Sequence, residues 1–199
     1  RFGSIEELAL FSPKSLVAAL AFGLLVGLLV RSFIVLTEGL SELAKLFSSS
    51  LAVRAFAGGF VVIALAFLFG NRDSTGLGIP SIQSAFLTSS ALPLAFEKII
   101  MTSVSIASGF RGGEFIPLVF IGATATSAIS GLFSVTPAFA AACGISASFG
   151  SAARVPLALS LFAAEHFSPS LFVYALVANV AARAVVGEEA TLFPSQRRS

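Results

Sequence analysis

The stretch Gly109-Phe110-Arg111-Gly112-Gly113-Glu114-Phe115-Ile116-Pro117 lies between two apolar runs, and its reading decides the fold. Two adjacent glycines let the backbone come close to a ligand and adopt positive φ. Pro117 stands where a first-turn helical proline belongs, so a helix is expected to start near Phe115. The first amides of that helix, those of Phe115 and Ile116, would have no intrahelical acceptor. They would also carry the partial positive charge of a helix N-terminus. Such a place can hold an anion on backbone alone, without a fixed cation. The same residues equally suit an ordinary interhelix loop with a Gly-Gly turn.

Downstream, Glu114 and Arg154 enclose 39 residues without a charge, where a membrane span needs roughly 20 apolar residues. The chain as a whole is 199 residues, 56% hydrophobic and only 11% charged, against about 25% charge in a soluble domain. This composition identifies an integral, multi-pass membrane protein. Net charge is +2, and the only adjacent basic pair is Arg197-Arg198. Nucleic acid is therefore not an expected partner, since phosphate binding needs clustered cations; the pair reads as a cytoplasmic anchor. Cys143 is the sole cysteine and His166 the sole histidine, so neither a disulfide, a multi-histidine metal cage nor a cysteine metal site is expected. No G-x-S-x-G elbow is present. The sequence reads as a non-enzyme without metal or organic cofactor.

Hydropathy and breakers predict helices over 13–46, 51–69, 80–86, 91–108, 115–133, 137–150, 156–166, 169–186 and 190–197. Ser12-Pro13 supplies the first start, and Gly23-xxx-Gly27 a face for close helix approach. Ala123, Ser127 and Gly131 form a small-residue stripe. Glu97 and Lys98 fall inside an apolar segment, where charges face protein or water rather than lipid, and they are read as structural. Several helices are too short to cross alone, and Gly/Pro breaks fall at membrane depth. Free backbone cannot face lipid there, and broken helices of this kind are the build of transporters and channels.

Gly113-Glu114-Phe115-Ile116-Pro117 resembles the second selectivity motif, G-x-F-x-P, of the CLC family of anion channels and proton-coupled anion exchangers. Arg154-Val155-Pro156-Leu157 followed by Glu165 is similar to that family's A-x-R-x-P-L…E segment. Gly187 through Phe193-Pro194 is similar to the start of its last transmembrane helix, and Gly76 to Pro80 to the glycine-rich segment ahead of the Lys98 helix. The order of these matches implies an all-α membrane protein of tilted, broken helices. Residues 1–199 would form the second of two inverted repeats, the C-terminal half of a longer protein. Gly109 to Glu114 is also similar to the G-F-[KR]-G-G-E string of the fluoride-exporting branch. Ile116 stands where that branch commonly has Thr, and Phe193 where the family has its central tyrosine.

The resemblance implies proton-coupled exchange of a small halide, chloride or fluoride, with a passive channel of the same fold as the alternative. Gly112 and Gly113 would permit close approach, Phe115 and Ile116 would donate N–H groups, and Phe193 would form the inner wall. A ring edge is weakly positive and can face an anion. Glu114 would be a selectivity- or proton-linked carboxylate, distinct from the gating glutamate of the first repeat, or would pair with Arg111. Pro117, Arg154 and Pro156 would hold the motif geometry. A homodimer is implied, with part of its surface on 156–186, in a bacterial inner membrane.

Overall fold

The computed structural model describes residues 12–70, 73–110 and 112–188, and among these residues the regular structure is helical throughout. In chain order the α-helices are α1 (Pro13–Phe47), α2 (Leu51–Phe69), α3 (Ile79–Leu87), α4 (Pro93–Ala107), α5 (Phe115–Ala128), α6 (Pro137–Ala152), α7 (Pro156–His166) and α8 (Phe172–Val186). Short 3-10 turns at Ser130–Phe133 and Pro169–Leu171 precede α6 and α8. Proline occupies the first turn of α1, α3, α4, α6 and α7, where its missing N–H is not needed and its fixed φ suits the helix.

Two expected helices are shorter than the hydropathy suggests. The segment expected over 115–133 leaves the α-helix at Ala128 and closes in a 3-10 turn. Hydroxyls compete with the backbone there: Ser130 Oγ donates to Ser127 O at 2.8 Å and Ser89 Oγ to the same oxygen at 3.1 Å. The segment expected over 169–186 opens as a 3-10 turn and becomes α-helical at Phe172. Arg111, Phe193 and the helix expected over 190–197 lie outside the described residues.

The centre of the fold is α6, buried at every position except Pro137 and Phe149. Its side chains are mostly Ala, Ser and Gly, so neighbouring helices come in at backbone distance. Against it runs α5, antiparallel: Phe115 meets Phe149, Gly122 meets Gly144, and Thr126 Oγ1 donates to Ala140 O at 2.7 Å. A Cβ on either Gly122 or Gly144 would collide with the other's carbonyl. On the other side of the core α1 and α8 run parallel, with Gly23 against Ala178 and Gly27 against Ala182. The Gly-xxx-Gly face thus packs on an alanine face, and Ser12 N–H to Tyr174 Oη (3.0 Å) closes its N-terminal end. Buried apolar side chains such as Phe22, Phe33, Phe139, Tyr174 and Leu118 fill the space between.

Around this core α7 joins α6 and α8 through one polar knot. Asn179 Nδ2 donates to Ser146 Oγ (2.7 Å), Ser160 Oγ (3.2 Å) and Ala175 O (2.9 Å). Helix α2 is different: it is apolar on all sides, yet only Gly58 is buried, against Ser108 at the end of α4. Its Phe56, Phe60, Phe67 and Leu68 are exposed, as befits a helix whose surroundings are lipid or further protein. Three described segments, Pro13–Phe47, Leu51–Phe69 and Pro169–Val186, are long and apolar enough to cross a membrane. The 14 residues of α5 reach only about 21 Å, short of the roughly 30 Å hydrocarbon core.

Candidate anion-binding site

The loop after α4 folds back before α5 begins. Gly109 carries the positive φ of this loop, +91°. The expectation of positive φ at Gly112 and Gly113 is not met; among glycines the structure assigns it to 70, 76, 78, 109 and 187. What Gly112 and Gly113 provide instead is room, since a Cβ built on either meets nothing within 4 Å. Glu114 is the N-cap of α5, and its backbone oxygen accepts from Leu118 N–H at 3.2 Å. Phe115 and Ile116 are therefore the first two helical residues, with amides that precede the intrahelical ladder, and Pro117 follows in the same turn.

Gly112, Gly113, Ile116 and Pro117 open onto a cleft of about 400 Å³. Its other walls are Val62, Ile63 and Ala66 of α2, the segment 74–77, and Lys98, Met101 and Thr102 of α4. Phe115 does not line the cleft. Its ring packs edge-on against Phe149 at 4.9 Å between centroids, which fixes the first turn of α5 to the end of α6. Glu114 is half-buried, carries no side-chain cap bond and lies beside the cleft rather than in its wall.

Arg154 and Pro156 are placed at the other end of the same contact. Pro156 opens α7, and Arg154, at φ +61°, makes the turn between α6 and α7, five residues beyond the Phe149 that holds Phe115. Val155 N–H donates back to Gly150 O at 2.9 Å to close that turn. The motif segments around 113–117 and 154–157, distant in sequence, are thus joined through the α5–α6 seam.

Lys98, expected to be structural and to face protein, does so and also lines the cleft. It is 3% exposed, and its ammonium donates to Ser74 O (3.2 Å) and to Gly76 O. It also lies 5.0 Å from the centroid of the Phe120 ring on α5. The charge therefore tethers segment 74–77 to α4, a structural role, but it also borders the cleft. A backbone-only anion site was expected; the cleft has a buried cation in its wall. The sequence did signal this, in a lysine inside an apolar helix preceded by a glycine-rich segment.

A family model described as "Voltage gated chloride channel" matches residues 2–187 of this chain. The chain belongs to that family. A curated relative, the "Chloride/fluoride channel protein" of Pseudomonas syringae pv. tomato (strain ATCC BAA-871 / DC3000), is 33% identical, the match covering 93% of this chain and 42% of the relative. A solved structure described as a CLC-type fluoride/proton antiporter superposes with a TM-score of 0.89 at 23% identity, covering 98% of this chain and 49% of that one. The chain thus has the CLC fold and spans less than half the length of the relatives it matches. The short broken helices around the cleft are those of the CLC fold.

Proposed function

We propose that this chain is the second, C-terminal repeat of a transporter that moves a small halide, chloride or fluoride, across a bacterial inner membrane in exchange for protons. The observation that carries the reading is the cleft in which Gly112, Gly113 and the first turn of α5 meet open space, beside a buried cation. Dehydrating a halide is costly, and oriented amides at a helix N-terminus offset that cost inside a low-dielectric site. Gly112 and Gly113 permit the approach, Phe115 and Ile116 donate N–H groups, and Phe193 forms the inner wall. Pro117, Arg154 and Pro156 keep the geometry.

Glu114 is the proton- or selectivity-linked carboxylate in this reading. It is half-buried one residue ahead of the donating amides, and partial desolvation favours the protonated form of a carboxyl. The solved relative described as a fluoride/proton antiporter supports exchange. The relative described as a chloride/fluoride channel supports the second reading, a passive channel of the same fold. Exposed Leu157 and Leu161 on α7 and Val180 on α8 support a homodimer closed through residues 156–186.

The test is halide efflux from liposomes containing the full-length protein, with and without a pH gradient. Halide movement accompanied by stoichiometric proton movement is the expected result. Halide flux without proton flux would select the channel, and no halide flux would refute both readings.

A further inference from the structure

The cleft wall holds two buried polar groups that packing leaves incompletely used, both on its α4 and 74–77 sides. Lys98 has three ammonium donors. Two go to the carbonyls of Ser74 and Gly76, and the third has no acceptor among the described residues. No ion pair of Lys98 is found among the described residues either. A buried charge of this kind is normally paired or bound to something. Ser74 is 1% exposed, and its Oγ has no hydrogen-bond partner among the described residues. Both residues line the cleft, together with the half-buried Thr102. A cation with a spare donor and an orphaned hydroxyl, on residues lining the same cleft, form a donor set for an anion.

We propose that Lys98 and Ser74 form an anion subsite of their own, separate from the α5 amides, that takes a small halide between the ammonium and the Ser74 hydroxyl. The inference rests on the halide-transport reading and assigns a ligand-binding role to a residue that also tethers segment 74–77. Carbonyl oxygens of Ser74 and Gly76 fix the ammonium without neutralising it, so its charge remains available to a mobile ion. Met101, Val62 and Ile63 supply apolar wall beside Thr75, Thr102 and Ser105, and burial of the ammonium strengthens its attraction for an anion.

The experiment uses the full-length protein, crystallised in bromide. Anomalous density is expected at hydrogen-bonding distance from Lys98 Nζ and Ser74 Oγ. Isothermal titration with bromide should show binding weakened about fivefold in Ser74→Ala, the loss of a neutral donor, and at least about tenfold in Lys98→Met, the loss of a charged one. Lys98→Met also cuts the tether and can misfold; Ser74→Ala leaves both carbonyls in place and carries the test by itself.

Wild-type crystals with bromide at other positions and none at Lys98 would overturn the subsite, as would lipid density in its place or unchanged affinity in Ser74→Ala. Wild-type liposome flux separates this from the parent reading. Halide flux without bromide at Lys98 refutes the subsite alone, whereas bromide at Lys98 without halide flux refutes the transport function alone.

Discussion

Substituting Gly27 by alanine tests the packing of α1 on α8 most directly. A Cβ at position 27 would lie 2.8 Å from Ala182 O and 2.8 Å from Val185 Cβ, about 0.6 Å inside the 3.4 Å at which ordinary contact begins. Neither atom can turn away: the Val185 Cβ is fixed to its Cα, and the Ala182 carbonyl belongs to the ladder of α8. The helices must therefore part along a seam that Ser12–Tyr174 and Arg31–Val185 hydrogen bonds hold at 3.0 and 3.2 Å. Overpacking of this kind costs about 1–3 kcal/mol, only partly offset by the roughly 1 kcal/mol that alanine gains over glycine in a helix. The net expectation is a loss of up to about 2 kcal/mol, read from SDS-induced unfolding of the purified full-length protein followed by circular dichroism. The decisive arm introduces Gly27→Ala into a Val185→Gly background, which lacks the clashing Cβ. Because the contact with the Ala182 carbonyl remains, the loss caused by Gly27→Ala should persist there. Its absence would show that side-chain crowding, not backbone contact, sets the spacing, and would refute the reasoning.

Three further expectations follow from the site and the polar knot. Gly113→Ala should leave SDS stability within about 0.5 kcal/mol, as surface-type substitutions do, because its Cβ meets open space; the same change should lower halide efflux by narrowing the cleft, and unaltered efflux would exclude Gly113 from the ion path. Glu114→Gln should reduce proton-coupled flux by about 100-fold, the lower end of what a positioned proton-transfer group contributes. Coupling unchanged in liposomes under a pH gradient would return Glu114 to the structural alternative, a pair with Arg111. Asn179→Ala removes the donor shared by Ser146 and Ser160 and should cost about 2–3 kcal/mol in the SDS titration, since buried hydroxyls lose a partner; a cost under about 0.5 kcal/mol would show that the knot does not hold α7.

Helix starts were the most legible part of the fold, because proline writes them locally: Pro13, Pro137 and Pro156 each stand at the first helical position. Helix ends were harder. The end of α5 depends on Ser89, which lies 38 residues away in sequence from the carbonyl it reaches, and no window around Ala128 contains that hydroxyl. The Gly23-xxx-Gly27 face was readable from spacing, whereas the tightest seam, Gly122 on Gly144, pairs single glycines on two helices and leaves no periodic trace.

The site divides along the same line. Gly112, Gly113, Ile116 and Pro117 form a contiguous motif and do share one cleft. Lys98 was seen but read as structural, because its nearness to Gly112 arises only when α4 and segment 74–77 fold together. Phe115, expected to face an anion through its amide, also carries a packing duty against Phe149 that only the antiparallel register of α5 and α6 reveals.

That register has a mechanical consequence. With Gly122 and Gly144 in backbone contact and Thr126 bonded across to Ala140, α5 and α6 cannot slide or roll past each other without breaking several contacts at once. The first turn of α5 is thus a fixed jaw of the cleft. The opposing jaw is α2, which buries only Gly58 and presents Val62, Ile63 and Ala66 to the space between. Among the described residues, the cleft thus lies between one helix locked into the core and one that buries a single glycine against it.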